Sequence, residues 1–429
     1  MARRWLYLLP AVYVTYSLAY LDRANYGFGA AAGLAATLHI SSAQSALLGS
    51  LFFFGYFLFQ IPGISYAQRH SASRLIFYSL LVWGMLAAMT GVVRSFWLLA
   101  LDRMLLGVAE SLIFPAMLLL LTRWFTRAER SRANTLLILG NPTTVLWMSA
   151  ITGYLIHAVG WQMTFVLEGL PSVAWAFAWR VLVRDRPEDA PWMATEATEQ
   201  LNQQLLAEQS VLPAIRGFAR ALLLPRVQLL TVVYFCWSAG LYGFVIWLPT
   251  IIRAGSTVGI EATGLLSAVP YLLSVLLMLL AATISDRTQR RSAIIWPSLL
   301  ASGVALLGSF YAAPHSFWMA YGCLILAGGL MYAPYGPFFA LIPELVPRNV
   351  TAQVLALVNS AGALGAFAGA GLVGWLQGRT GSSQAGFLLM AIALMASGVM
   401  MLFSPEATRT TPGHQAVAGT VPQSALQEN

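Results

Sequence analysis

Apolar runs of about twenty residues, each long enough to cross roughly 30 Å of hydrocarbon, recur along almost the whole sequence. In lipid only helices and closed barrels satisfy every backbone N–H and C=O, and barrel strands would read as alternating segments of about ten residues. The runs therefore predict helices, at 5–33, 44–67, 75–93, 96–121, 134–157, 162–183, 226–252, 263–284, 292–312, 317–343, 350–377 and 384–403. With 58% hydrophobic and 9% charged residues, and a mean hydropathy of +0.70, the chain is unlike a soluble domain, which carries about a quarter of its residues as charges.

The longest polar stretch, 184–225, holds Asp185, Glu188, Asp189, Glu196, Glu199 and Glu208 and divides the spans into six before and six after. The expected organisation is a helical bundle over 1–183, a cytoplasmic connector over 184–225, a second bundle over 226–403 and a disordered cytoplasmic tail over 404–429. The opening Met-Ala-Arg-Arg resembles a signal peptide, but its apolar run continues past Tyr20 into Asp22-Arg23, so an uncleaved first helix is expected.

All 24 basic residues are arginine. With the N-terminus inside, Arg94, Arg253 and Arg379 fall outside, Arg23 and Arg103 fall within the membrane, and the rest are cytoplasmic. By the positive-inside rule both termini are cytoplasmic, in a multi-pass protein of a bacterial inner membrane. The net charge of +8 does not form one basic, aromatic-interleaved face, so no nucleic-acid partner is expected. Cys236 and Cys323 lack metal-ligand spacing, and His39, His70, His157, His315 and His414 are scattered. No metal, cofactor or catalytic residue is expected, which disfavours a membrane enzyme, and no signalling domain supports a sensor.

A charge near the bilayer centre costs about 2.5–3.5 kcal/mol on insertion scales, so ionisable residues inside spans need a partner or a purpose. Asp22 and Arg23 lie near the middle of the first span, pointing about 100° apart, and can address different partners. They read as a proton-binding carboxylate beside an anion-binding guanidinium. In the fourth span Arg103 and Glu110 are seven residues apart, about two turns, and share a face. Burial favours the neutral acid at Glu110 while a neighbouring guanidinium favours the carboxylate, a competition suited to a group that takes and releases protons. The competing reading is a buried network that only holds helices together. For Asp102 and Glu168, nearer the ends of their spans, that structural reading is favoured.

Tyr20, Tyr56, Asn141, Asn359, Tyr332 and Tyr335 supply the other polar groups a polyol site needs within their spans, packing or an interfacial position being the competing reading for each aromatic. Asn141-Pro142 interrupts the fifth span and prolines break the tenth, where freed backbone groups can line a cavity.

A loop signature recurs after the second helix of each half: Ala67-Gln68-Arg69-His70 to Arg74, and Ser285-Asp286-Arg287 to Arg290-Arg291. It resembles the cytoplasmic loop motif of the major facilitator superfamily, which implies a duplicated six-helix unit. That resemblance makes Arg69, Asp286, Arg287 and Arg291 candidate gating residues, with Gln68 standing where the family usually has Asp. The fold class expected is an all-α membrane protein of twelve transmembrane helices in two pseudo-symmetric bundles.

Tyr20-Leu21-Asp22-Arg23-Ala24-Asn25, Arg103-Met104-Leu105-Leu106-Gly107-Val108-Ala109-Glu110, Glu168-Gly169-Leu170-Pro171 and Tyr335-Gly336-Pro337-Phe338-Phe339 together resemble the anion:cation symporter family within that superfamily. Members such as D-galactonate transporters import sugar acids with protons. The resemblance implies Asp22 and Glu110 as proton-coupling carboxylates, Arg23 as the arginine for the substrate carboxylate and Arg103 as the charge partner of Glu110. It also implies Tyr20, Tyr56 and Asn359 at the sugar acid, and Asn141 where the galactonate transporter has Gln. Segments around Tyr20, Asn141 and Tyr335 look most like 2-ketogluconate permeases, making a sugar acid or other small carboxylate, protons and the bilayer the expected partners of a monomer. Proton-driven drug or metabolite efflux is the alternative. Exporters of that kind usually carry a fifth-helix signature like Gly-Pro-x-x-Gly-Gly, where this chain has Gly140-Asn141-Pro142-Thr143-Thr144-Val145.

Overall fold

The computed structural model describes residues 2–209, 215, 217–255, 260–380 and 384–404. The first half contains α1 (Ala2–Ala31), α2 (Leu34–Thr37), α3 (Ser42–Arg69), α4 (Ala72–Thr90), α5 (Phe96–Ser111), α6 (Ile113–Trp124), α7 (Arg130–Ile138) and α8 (Gly140–Leu182). The connector contributes α9 (Thr195–Gln209) and α10 (Phe218–Leu222). The second half contains α11 (Pro225–Gly255), α12 (Ile260–Thr288), α13 (Ser292–Ala312), α14 (Phe317–Tyr332), α15 (Tyr335–Leu345), α16 (Arg348–Thr380) and α17 (Gln384–Leu402). Ten stretches of the described residues are long and apolar enough to cross a membrane. The first and fifth expected spans are helical as well, but tyrosine, threonine and charge dilute their apolar character. The fold is the expected all-α membrane architecture.

Where the expected spans are broken, the sequence carries the cause. Pro115 has no N–H for the carbonyl of Ser111, and α5 ends at Ser111. Pro142 leaves the carbonyl of Ile138 unmet in the same way, and α7 ends at Ile138. The tenth span divides at Ala333-Pro334. The run Gly140–Leu182 turns sharply at Gly160, whose φ of 80° and ψ of 163° suit only glycine, and so contains the remainder of the fifth span and the sixth.

Faces are sorted for lipid rather than water. Trp97, Leu98, Leu265 and Trp318 are exposed on the outside, whereas Trp83, Trp124, Trp179 and Trp237 are wholly buried. Small residues let helices approach closely; a Cβ at Gly107 of α5 would collide with the Phe52 carbonyl of α3. The connector is partly helical, and α9 docks on the first half: both carboxylate oxygens of Glu208 accept from the Arg127 N–H, at 2.8 and 2.9 Å. The tail expected to be disordered lies, from residue 405, outside the described residues.

Candidate functional site

The adjacent charges of α1 part company, as their angular separation requires. Asp22 is buried inside the first bundle, where one carboxylate oxygen accepts from the Trp83 indole N–H and the other has no partner. Arg23 turns the other way. Its Nε lies 2.6 Å from Glu110 Oε2, and its Nη2 donates to Tyr56 Oη at 3.1 Å. The guanidinium carbon stands 4.6 Å from the centre of the Tyr56 ring, close enough for cation–π attraction. The Glu110 side chain is 0% exposed and that of Arg23 15% exposed. The close approach at Gly107 brings the helix of Glu110 onto the helix of Tyr56.

That exposed part of Arg23 faces an open cavity of about 480 Å³, the solvent space at its mouth included. Tyr16, Tyr56, Tyr335 and Asn359 share its wall with Arg23, and Tyr234 and Tyr242 close the side formed by α11. Aromatic edges bank up behind them: the Tyr335 and Trp237 rings are 4.5 Å apart between centres, and Tyr234 stacks on Phe338 at 5.3 Å. The wall is therefore mostly aromatic, rich in tyrosine, with one cation and one carboxamide.

The structure brings together Arg23, Glu110, Tyr56, Asn359 and Tyr335 from the expected site. Tyr20 and Asn141 are buried but are not among the described residues that line the cavity. Arg103 makes no direct bond to Glu110 among the described residues. It shares a helix face with Glu110, yet Glu110 forms its ion pair with Arg23. Arg103 instead lies over the rings of Tyr26 and Phe52, at 4.5 and 5.2 Å, with Nε and Nη1 unpartnered. A neighbour two turns away on the same helix is farther than a long side chain arriving from a facing helix. Asp102 accepts from Thr90 at 2.7 Å, and Glu168 from Asn25 and Thr152 at 3.0 and 2.6 Å.

A second cluster closes the end of the molecule at which α1 begins and α17 finishes. The Asp286 carboxylate caps α7 from the opposite half, accepting the N–H groups of Ser131 and Arg132, both at 3.0 Å, where the helix dipole favours an anion. Arg291 bonds Asp286 at 2.7 Å, Ser131 Oγ at 2.6 Å and Glu344 at 3.1 Å, and also donates to the Arg127 carbonyl. Gly336 of α15 presses against Thr135 and the Ser131 carbonyl of α7, leaving no room for a Cβ. Asp286 and Arg291 thus join the halves. Arg69 and Arg287 are exposed and have no partner among the described residues. Gln68, where the family motif has Asp, donates to the carbonyls of Arg348 and Asn349 across the halves, at 3.3 and 3.0 Å.

The cavity lies on the other side of this closure. Along α3, which runs toward the closed end, Phe52 and Phe53 line the cavity and precede Tyr56; along α16, which runs away from it, Gly362 and Ala366 follow Asn359. Sequence reasoning missed Trp83, whose mid-span position, away from the interface where tryptophan collects, was the available signal. It also missed Tyr234, Ser238 and Tyr242, a polar stripe at i, i+4 and i+8 of α11. Among the described residues no cluster of His, Cys, Asp or Glu could hold a metal ion.

Comparison with known proteins agrees with this architecture. The chain is 32% identical over 426 residues to a "Putative tartrate transporter" of Agrobacterium vitis, covering 95% of this chain and 92% of that one. It is 29% identical to a "Quinolone resistance transporter" of Acinetobacter baumannii, covering 90% and 91%. Among solved structures, the proton:xylose symporter XylE superposes with a TM-score of 0.71 over 93% of this chain and 96% of that one, at 13% identity, a likeness of fold alone. Residues 12–370 match the Major Facilitator Superfamily, and the chain belongs to that family of membrane transporters.

Proposed function

We propose that the protein imports a small hydroxylated organic anion together with protons across the bacterial inner membrane, as a monomer with both termini in the cytoplasm. The observation that carries this reading is the Arg23–Glu110 ion pair in the cavity wall, one partner reaching the cavity and the other sealed from it. A substrate carboxylate competes with Glu110 for the planar fork of Arg23, and a proton on Glu110 releases the same guanidinium. Each ligand weakens the bond that keeps the other out, so the two bind cooperatively, as symport requires. Arg103, with two unpartnered nitrogens on the face of Glu110, is the charge partner that helps Glu110 give up its proton once substrate has left. Asp22 is the second proton-carrying carboxylate.

The bundles over 1–183 and 226–403 rock about this site, the Asp286–Arg291 cluster being the cytoplasmic gate, so the structure corresponds to an outward-facing state. Tyr56, Asn359 and Tyr335 receive the substrate hydroxyls, and Tyr20 and Asn141 join them on the cytoplasmic side of the cycle. The substrate is a sugar acid, with 2-ketogluconate favoured by the resemblance of the Tyr20, Asn141 and Tyr335 segments; the relative named for tartrate supports a hydroxylated acid more broadly. Uptake into proteoliposomes under an inward proton gradient tests the proposal: the gradient should drive accumulation of at least one among 2-ketogluconate, gluconate, galactonate and tartrate. Uptake of none of them would overturn it.

A second reading, proton-driven drug or metabolite efflux, is favoured by the tyrosine-rich wall and by the relative named for quinolone resistance. Proton-driven loading of inverted vesicles with such a compound, and not with sugar acids, would select it.

A further inference from the structure

At the cavity floor Asn359 of α16 meets Gln60 of α3, a contact between the two halves. Asn359 Nδ2 donates to Gln60 Oε1 at 2.8 Å and to Tyr56 Oη at 3.5 Å. Both amide hydrogens are thereby committed, and the carbonyl Oδ1 is the polar atom left to the cavity that Asn359 lines. Gln60 stands one turn beyond Tyr56 on the same face of α3 but is not among the cavity-lining residues. It is 0% exposed, and its own Nε2 has no partner. An apolar residue of that volume would pack there without an orphaned donor, so the buried amide calls for a purpose other than packing.

We propose that Gln60 is a positioning residue for substrate selection: by accepting from Asn359 it holds that carboxamide with its oxygen toward the cavity, so that the floor accepts a hydrogen bond and selects an anion bearing a hydroxyl there. This rests on the anion reading above. Arg23 Nη2 and Asn359 Nδ2 meet on the same phenol oxygen, that of Tyr56, which places the selected hydroxyl next to the carboxylate, on the α- or β-carbon of a hydroxy acid. A site built to bond a hydroxyl discriminates strongly against the analogue lacking it, because its buried acceptor is then left unpaired.

Two measurements on the full-length protein test the inference. In ligand-free protein, a double-mutant cycle of Gln60→Met and Asn359→Leu read by thermal melting should be coupled, the double variant losing less melting temperature than the two single losses together. In competition for uptake, wild type should prefer tartrate to succinate and gluconate to 2,3-dideoxygluconate, analogues that lack the hydroxyl on both carbons, by about 10-fold or more. Gln60→Met should bring those ratios close to unity through KM, leaving the maximal rate for the hydroxyl-free analogue in place. Full discrimination in Gln60→Met, or an additive cycle, overturns the inference and leaves the anion reading standing. A coupled cycle with no recognition of any of these acids by wild type overturns the anion reading, and the selection with it.

Discussion

Arg23 Nε and Glu110 Oε2 stand 2.6 Å apart on facing helices, with Glu110 sealed in the bundle and Arg23 at the cavity wall. The second oxygen of Glu110 has no partner, so the carboxylate depends on one guanidinium for its compensation.

Glu110→Gln keeps the volume and removes the charge that moves with the proton. Accumulation driven by a proton gradient in proteoliposomes should fall at least about 10-fold, while substrate exchange without a gradient persists. Undiminished accumulation would refute the coupling role.

Arg23→Lys keeps the charge but loses the fork and the planar group over Tyr56. Affinity for a carboxylate substrate, measured by thermal stabilisation of purified protein, should drop about 10- to 100-fold, the cost of one to two charge-assisted hydrogen bonds. Wild-type affinity in this variant would remove Arg23 from the binding site.

Asp286→Asn weakens the cap on α7 and leaves Arg291 and Arg132 without their shared carboxylate. Breaking a buried pair from one side costs about 3–5 kcal/mol, which should open the gate. Single cysteines placed beside Thr135 should label faster from the terminal end of the molecule than in the parent protein; equal labelling would show that the cluster does not hold the gate.

Gly336→Ala puts a methyl group where Thr135 and the Ser131 carbonyl already sit. The closed arrangement becomes overpacked, at a cost of about 1–3 kcal/mol, and the same labelling assay should show a shift toward the open gate with the protein still folded. Adding Thr135→Ala should recover part of the closed population. Failure of the first change to move the equilibrium would mean that α7 and α15 separate more easily than their contact implies.

Glu208, outside the membrane on α9, has its carboxyl raised above the ordinary 4.5 chiefly by burial, against the opposing pull of Arg130 and the Arg127 N–H. A raised carboxyl favours the folded state while protonated, and that advantage is lost as pH rises through the folded value. Glu208→Gln should therefore melt higher than wild type at pH 8, and the difference should vanish below about pH 4.5. A variant that melts lower at pH 8 would show that the contacts to Arg127 and Arg130 outweigh the burial.

The sequence by itself determined the membrane, the helices and the places where they break. Hydropathy acts over twenty residues, and a proline removes a hydrogen bond within its own turn, so both are local. It also isolated Asp22, Arg23, Arg103 and Glu110, because charge in hydrocarbon is costly wherever the helix later packs. Only the tertiary structure decided which charges meet. Glu110 pairs with Arg23, eighty-seven residues away, rather than with Arg103 on its own face, and Asp22 meets Trp83. Likewise α7 is capped by Asp286 of the other half, and Asn359 is held by Gln60. Those partners are chosen by the approach of helices distant in sequence, which small residues such as Gly107 and Gly336 permit and which no local periodicity records.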